Sequence, residues 1–317
     1  MHIRAVRVPL VRQLRRPLAL ALPLVAASAL LASCLGSGYT AAPPPPPSTT
    51  STTAPTATST STSTSPSTTP TSTSTSSTTS TTVASAPPSL FQDAFDRPDG
   101  LVTNEYAYWN PTLPDAVVSP DWEMTSGSLF TRDGHGYTGV PDDVGPNAQS
   151  TNGTDSAVFR LTTKENDFGN VAVSFDLDML GLTTTATTPA VAWDGLHVFL
   201  RYQNEYSLYY ASIDRRDGTT IIKKKVPGGP SNGGTYYDLG QSGSHPIPFG
   251  QWEHVLATID TNANGSVIIQ LYANDTLVAS AVDDGSIGGP PILSPGKVGI
   301  RGDNAEFEFD DFTVNGL

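Results

Sequence analysis

The sequence has little cysteine and, over its first 92 residues, no acidic side chain. A single Cys among 317 residues excludes a disulfide framework and a zinc site built from cysteines. All 30 Asp and Glu lie at or beyond residue 93, where only 12 Lys and Arg oppose them, so this part of the chain carries a net charge of −18. A domain this acidic lacks the basic surface that nucleic-acid binding requires, and no nucleic-acid partner is expected.

Long hydrophobic runs are also scarce, and the longest lies near the N-terminus. Residues 18–31 are almost entirely apolar, follow a basic segment, and fall short of the ~20 residues that span a bilayer. The run ends in Leu31-Ala32-Ser33-Cys34, which resembles the bacterial lipobox. The resemblance implies a lipoprotein signal peptide over residues 1–33, a diacylglyceryl group on Cys34, and export to a membrane-anchored position facing the cell wall or the exterior.

The next segment is a spacer. Pro43 to Pro47 are consecutive prolines, and between residues 48 and 82 all but five residues are Ser or Thr. Such a segment has too little apolar surface to offset the entropy cost of ordering it. Residues 34–87 are therefore predicted to be the lipidated cysteine and a disordered stalk.

Residues 88–317 have the pattern of strands throughout. Between Phe168 and Met179 apolar residues occupy every second position, which is typical of a half-buried strand. Turn dipeptides such as Asp217-Gly218 and Asn264-Gly265 separate such runs. The predicted strands cover residues 90–95, 128–131, 157–161, 168–179, 196–202, 206–213, 219–226, 235–239, 255–259, 266–273, 276–282, 297–301 and 305–314. The pattern predicts an all-β, two-sheet antiparallel jelly-roll sandwich.

Several short motifs resemble the concanavalin A-like lectin/glucanase superfamily, in the style of its laminin-G-like bacterial branch. They are Phe91–Arg97, Tyr209–Asp214 leading into Ile222–Val226, Gly250–Val255, and Gly296–Arg301 followed by Phe309–Phe312. The resemblance extends over residues 88–317. It implies a curved sandwich that holds a sugar chain on its concave sheet, and because the motifs are structural it says little about activity.

The catalytic motif of the superfamily's glucanases, Glu-x-Asp-x-x-Glu, does not occur in the sequence. Glu306, Glu308 and Asp310 share one face of a predicted strand, but their spacing differs from that motif. The tripeptide Arg301-Gly302-Asp303 is interpreted as part of a strand. The preferred interpretation is thus a non-catalytic carbohydrate-binding domain.

Half of the domain's cations lie between residues 201 and 225. If Leu196, Val198 and Leu200 face the core, His197 and Arg201 face away from it together, and Lys223 and Lys225 share a face of a nearby strand. These four side chains could bind the carboxylates of a uronate polymer. His197 and Arg201 with Tyr210 as acid and base could also support a lyase. The alternative is that the lysines lie on a solvated strand or protect a sheet edge.

Aromatic side chains provide candidate sugar platforms. Trp193, Tyr236 and Tyr237 are the predicted contacts, whereas Trp252 is predicted to lie in the core. The candidate partner is a polysaccharide or cell-wall glycan.

No cofactor is required by this interpretation, but a structural Ca²⁺ could bind where the first and last strands meet. Asp93, Asp96, Asp310 and Asp311 are its candidate ligands. Two alternative functions stay open: a polysaccharide lyase or hydrolase acting on the concave sheet, and a cell-wall interaction protein without a sugar ligand.

Overall fold

The computed structural model describes residues 89–141, 157–186 and 188–317. The predictions for the signal peptide, for Cys34 and for the stalk lie outside the described residues. Among the residues described, no helix is long and apolar enough to cross a membrane.

The described residues form seventeen strands and one short helix. In chain order these are β1 (Phe91–Asp93), β2 (Gly100–Asn104), α1 (Glu105–Trp109), β3 (Trp122–Ser126), β4 (Ser128–Arg132), β5 (His135–Tyr137), β6 (Val158–Thr163), β7 (Val171–Leu182), β8 (Gly195–Asn204), β9 (Ser207–Ile213), β10 (Thr219–Ser231), β11 (Gly234–Asp238), β12 (Gly243–Ser244), β13 (Glu253–Thr261), β14 (Val267–Ala273), β15 (Thr276–Asp283), β16 (Lys297–Asp303) and β17 (Ala305–Gly316).

The strands form two antiparallel sheets. Sheet A has the order β15-β14-β13-β7-β17-β5-β4-β2, with β1 also paired to β17. Sheet B has the order β11-β10-β9-β8-β16-β6-β3, with β12 also paired to β10. The predicted all-β sandwich is confirmed. Because β17 lies between β7 and β5, the C-terminal strand is central to sheet A.

The core lies between the sheets and follows the alternation seen in the sequence. On β7, Val171, Val173, Phe175 and Leu177 are buried, while the residues between them are partly exposed. The turn at Asn264-Gly265 joins β13 to β14 as predicted, and Gly265 adopts a left-handed φ of 84° there.

Strands β2, β3, β5 and β12 were not predicted, and two further local features differ from the sequence-based expectation. Helix α1 was not predicted because five residues are too few for a helical repeat; the Asn104 side chain caps it by accepting a hydrogen bond from Ala107 N. Trp252 was predicted in the core, which is wrong. Trp252 precedes β13 and shares the outward side of His254, because Glu253 and Val255 are the buried positions there. It is 43% exposed, with its ring 4.8 Å from that of His135.

Candidate functional site

A cavity of about 350 Å³ lies on the outer face of sheet B. It spans β8, β9, β10, β11 and β16, and its floor consists of side chains that alternate outward from these strands. The lining residues are Trp193, His197, Tyr210, Ser212, Arg215, Lys223, Lys225, Ser231, Asn232, Tyr236, Arg301 and Asp303. Four of them are cations and only one is an acid, so this part of an acidic domain is locally basic.

His197 lies at the centre of the floor and is neutral at pH 7. Its Nδ1 is 2.9 Å from the Ser212 hydroxyl, its Nε2 is 3.2 Å from an Asp303 oxygen, and Tyr210 stacks on its ring at 4.3 Å. Complete burial lowers the pKa of His197 to about 4, even though Asp303 favours the charged form. Nδ1 thus has a hydrogen-bond partner, whereas Nε2 lies beside Asp303 without a hydrogen bond to it.

Arg301 and Asp303 form a fixed ion pair beside this histidine. Arg301 Nη2 lies 2.7 Å from Asp303 Oδ1, and Arg301 Nε donates to the same oxygen at 3.0 Å. Burial alone would raise the pKa of Asp303, but Arg301 and then His197 lower it well below its usual range. Burial lowers the pKa of Arg301, but Asp303 and two neighbouring tyrosines raise it more, so the pKa is raised overall. Both groups are charged at neutral pH.

Lys225 is the cation of this cavity without a carboxylate to balance it. Its Nζ lies 4.8 Å above the ring of Tyr236, and it makes no ion pair with any described residue. Burial, and then repulsion by Arg301 and Arg160, lower the pKa of Lys225 to about 8. Burial and the nearby Arg301 also lower the pKa of Arg160. Three cations thus repel one another in a confined place.

The rim of the cavity combines aromatic and polar groups. Trp193 is 54% exposed, Tyr236 is half-buried, and Lys223 is held 3.0 Å from the exposed Asp238. The β10–β11 hairpin turns at Asn232, whose left-handed φ of 48° an asparagine tolerates. An aromatic rim beside charged donors suits a sugar ring that packs its C–H face on the aromatic side chains and carries an anionic substituent.

Most of the predicted contacts converge here, but two do not. Trp193, His197, Tyr210, Lys223, Lys225 and Tyr236 line the cavity. Tyr237 alternates to the opposite side of β11 and packs against Gly288. Arg201 also lies away from the cavity.

The expectation that Arg201 shares a face with His197 is wrong, and a bulge is the reason. Arg201 has a φ of 44° at a register shift of β8, so the alternation slips by one residue. Its guanidinium bonds the carbonyls of Gly169 and Ile292, and also Asn170 Oδ1 and Thr261 Oγ1, all within 3.1 Å. Arg201 is thus a buried structural residue.

Two cavity residues above all were missed in the sequence, Arg301 and Asp303, and so was the neighbouring Arg160. The signal was present in strand register: Arg301 is paired with His197 on one side and with Arg160 on the other. Alternation alone could not reveal it, because sequence does not tell which strands are neighbours.

The predicted calcium ligands lie near one another but are differently engaged. Asp93 Oδ2 accepts a hydrogen bond from Trp122 Nε1 at 2.7 Å, and Asp93 Oδ1 accepts from Phe95 N and from Arg97. Asp93, Asp96 and Asp311 border a second cavity, whereas Asp310 lies 3.9 Å from His135. Calcium at this place stays a prediction.

The acidic strand β17 is engaged by side chains of sheet A. Glu306 accepts a hydrogen bond from the Tyr137 hydroxyl at 2.7 Å, and Glu308 accepts from Arg132 Nε at 2.6 Å. Glu306 and Glu308 do share a face, as predicted. These partners give the two carboxylates a structural role.

No family model matches the chain, and no curated protein matches its sequence. Solved structures similar to it include the carbohydrate-binding module CBM66 from Bacillus subtilis, with 13% identity over 62% of this chain and 95% of that one and a TM-score of 0.41. A Bacillus subtilis protein of unknown function with a galectin-like fold has 13% identity, coverage of 73% and 97%, and a TM-score of 0.47. LamAcat from Zobellia galactanivorans has 15% identity, coverage of 72% and 97%, and a TM-score of 0.43. Likenesses at this level assign no function.

Proposed function

We propose that this protein binds an acidic carbohydrate, of the uronate class, in the cavity on sheet B without transforming it. One observation carries the proposal: Lys225 lies in that cavity beside Arg301 and Arg160 without a carboxylate partner among the described residues, in a domain whose net charge is −18. Burying like charges together is costly, and a carboxylate bound between them relieves that cost. A long polyanion would be repelled by the surrounding acids, so a short chain or a chain end fits best.

Each side chain has a distinct part in this proposal. Lys225 provides an unbalanced positive charge, while Arg301 is already oriented by Asp303 and presents its remaining N–H groups to the ligand. Trp193 and Tyr236 offer rings to the C–H face of the sugar. Ser231 and Asn232 of the hairpin add neutral donors and acceptors.

The state of His197 and Tyr210 favours binding over elimination. A lyase needs a base whose lone pair reaches the substrate, yet both ring nitrogens of His197 face Ser212 and Asp303. Tyr210 is only 6% exposed, and burial raises its pKa well above 10. Arg201, the third member of the lyase hypothesis, bonds elsewhere.

Lys225→Met tests the proposal, with Lys164→Met as the matched control. Both variants lose one positive charge, but Lys164 is exposed and does not line the cavity. We expect Lys225→Met to weaken binding of tetragalacturonate about tenfold or more, as for a lost charge-assisted hydrogen bond. Lys164→Met should stay within about twofold of the unmodified protein. Isothermal calorimetry at low salt measures both.

Equal affinity in the two variants would contradict a role for the cavity. Release of unsaturated oligouronates during the titration would show elimination, and the lyase alternative would then replace the proposal of binding without catalysis. If the protein binds neutral glucans tightly but not uronates, it is a carbohydrate-binding domain and the uronate assignment is wrong.

We further propose that Cys34 anchors the protein to a membrane through acyl chains, with residues 35–87 as the spacer. The lipobox Leu31–Cys34 supports this proposal, because two or more acyl chains give a lasting attachment. We expect Cys34→Ala to leave the precursor uncut or to release the protein. Detergent partitioning with intact-mass measurement is the test: a variant that partitions like the unmodified protein, at the same processed mass, contradicts the anchor.

A further inference from the structure

Three potential metal ligands meet outside the lining of the cavity on sheet B, which is called the sugar cavity below. His245 Nε2 lies 2.9 Å from Glu253 Oε2 and 3.4 Å from Asp214 Oδ1. Within the described residues this is the one group of three such side chains whose ligand atoms lie within 4.8 Å of one another. The trio joins the residue that follows β9 of sheet B, the segment after β12, and the start of β13 in sheet A.

Asp214 is the unusual member of this trio. It is fully buried, and neither carboxylate oxygen has a hydrogen-bond donor among the described residues. The φ of Asp214 is 51°, a left-handed conformation, and its backbone carbonyl lies so close to Gly195 that only a glycine fits opposite it. The structure therefore holds an unsatisfied carboxylate in place, at a cost that calls for a missing partner.

Charge points to a cation as that partner. Glu253 is 3% exposed, and no Lys or Arg of the described chain forms an ion pair with Glu253 or Asp214. The nearest arginines in sequence are engaged elsewhere: Arg215 with Asp217 and Arg216 with Asp194. Two carboxyl groups thus share this small volume without a Lys or Arg of the described residues to balance them.

We propose that Asp214, His245 and Glu253 bind a divalent transition metal of the zinc class. One imidazole nitrogen with two carboxylates is a donor set that Zn²⁺ accepts, whereas Ca²⁺ and Mg²⁺ require more oxygens and avoid nitrogen. The two negative charges match the charge of the ion. The His245 side chain, 19% exposed, provides the route from solvent.

Binding releases protons and connects the two sheets. The metal takes the lone pair of His245 Nε2, so the proton moves to Nδ1 or leaves, and any proton shared by the carboxyl groups is released. The ion then ties β9 to β13, which belong to different sheets. Because none of the three ligands lines the sugar cavity, loss of the metal and loss of sugar binding are separable.

The experiment adds zinc chloride to the chelator-treated, dialysed protein. We expect about one tightly held zinc per chain by elemental analysis, a higher melting temperature, and weaker responses to manganese and calcium chlorides. Asp214→Asn keeps the shape of the side chain but lowers zinc affinity at least about tenfold. Glu253→Gln should do the same, which covers the case that one variant folds poorly.

The matched control is the double variant Asp176→Asn/His254→Gln. His254 Nδ1 lies 2.8 Å from Asp176 Oδ1, but both side chains are about half exposed, so this pair resembles the trio without its burial. Zinc uptake should be unchanged there. No uptake by the unmodified protein, or equal uptake by Asp214→Asn, would overturn the proposal and leave a proton shared between two carboxyl groups. Tighter binding of calcium than of zinc would overturn the assigned metal class.

Discussion

Lys224→Met should destabilise the domain by about 3–5 kcal/mol, the range for a buried ion pair that loses one partner. Lys224 and Asp283 are both fully buried, with Lys224 Nζ 2.8 Å from Asp283 Oδ2. Nζ also donates to the carbonyl of Gly289 at 2.6 Å, and Tyr209 donates to Asp283 at 2.7 Å. The substitution leaves a buried charge uncompensated between β10 and β15. Urea unfolding measures the loss.

Lys223→Met is the matched control, because Lys223 is the adjacent residue and pairs with an exposed carboxylate. Its effect should stay within about 1 kcal/mol. The double variant Lys224→Met/Asp283→Asn removes both charges, so it should recover part of the stability lost in Lys224→Met. A loss of less than about 1 kcal/mol in Lys224→Met would contradict the buried pair.

Arg201→Met should lower stability by on the order of 3 kcal/mol, because several buried acceptors lose a charged donor together. The guanidinium bonds Gly169, Asn170, Thr261 and Ile292, which lie in three separate segments of the chain. The folded variant should bind tetragalacturonate as the unmodified protein does. Thermal unfolding and calorimetry together distinguish this structural role from the ligand contact that the sequence predicts.

Arg201→Lys and Arg132→Met provide the comparison. Lysine keeps the charge but cannot reach all four acceptors, so its stability should be intermediate. Arg132 is 37% exposed and pairs with Glu308, so its removal should cost about 1 kcal/mol or less. If Arg201→Met loses uronate binding while its stability is unchanged, Arg201 contacts the ligand and the structural role is wrong.

The fold could be predicted because alternation is a local property of a strand. The inward residues of β7 and the shared face of Lys223 and Lys225 are correct for this reason. Local patterns fail where the backbone departs from regular strand geometry. The bulge at Arg201 reverses the face of its side chain. The error at Trp252 is different, because alternation along β13 itself puts that position on the outward side.

The site was predictable only in part, because it depends on which strands are neighbours. His197 and Lys225 were recognised from charge and alternation, but Arg301 joins them through pairing of distant segments. The Asp214 trio requires three segments to meet and has no motif in the sequence. Lys224, between two outward lysines, could not be assigned a buried partner without the position of Asp283.

The most direct test of an acidic-sugar site is the affinity for tetragalacturonate as a function of pH, compared with its uncharged methyl ester. The pKa of Lys225 in the free protein is about 8, and a bound carboxylate raises it. The amine is charged below pH 8 and loses its proton above it, so affinity should fall above pH 8 by up to about tenfold per pH unit. Lys225→Arg keeps its charge and should show no such fall. Equal affinities for acid and ester at every pH would contradict the account.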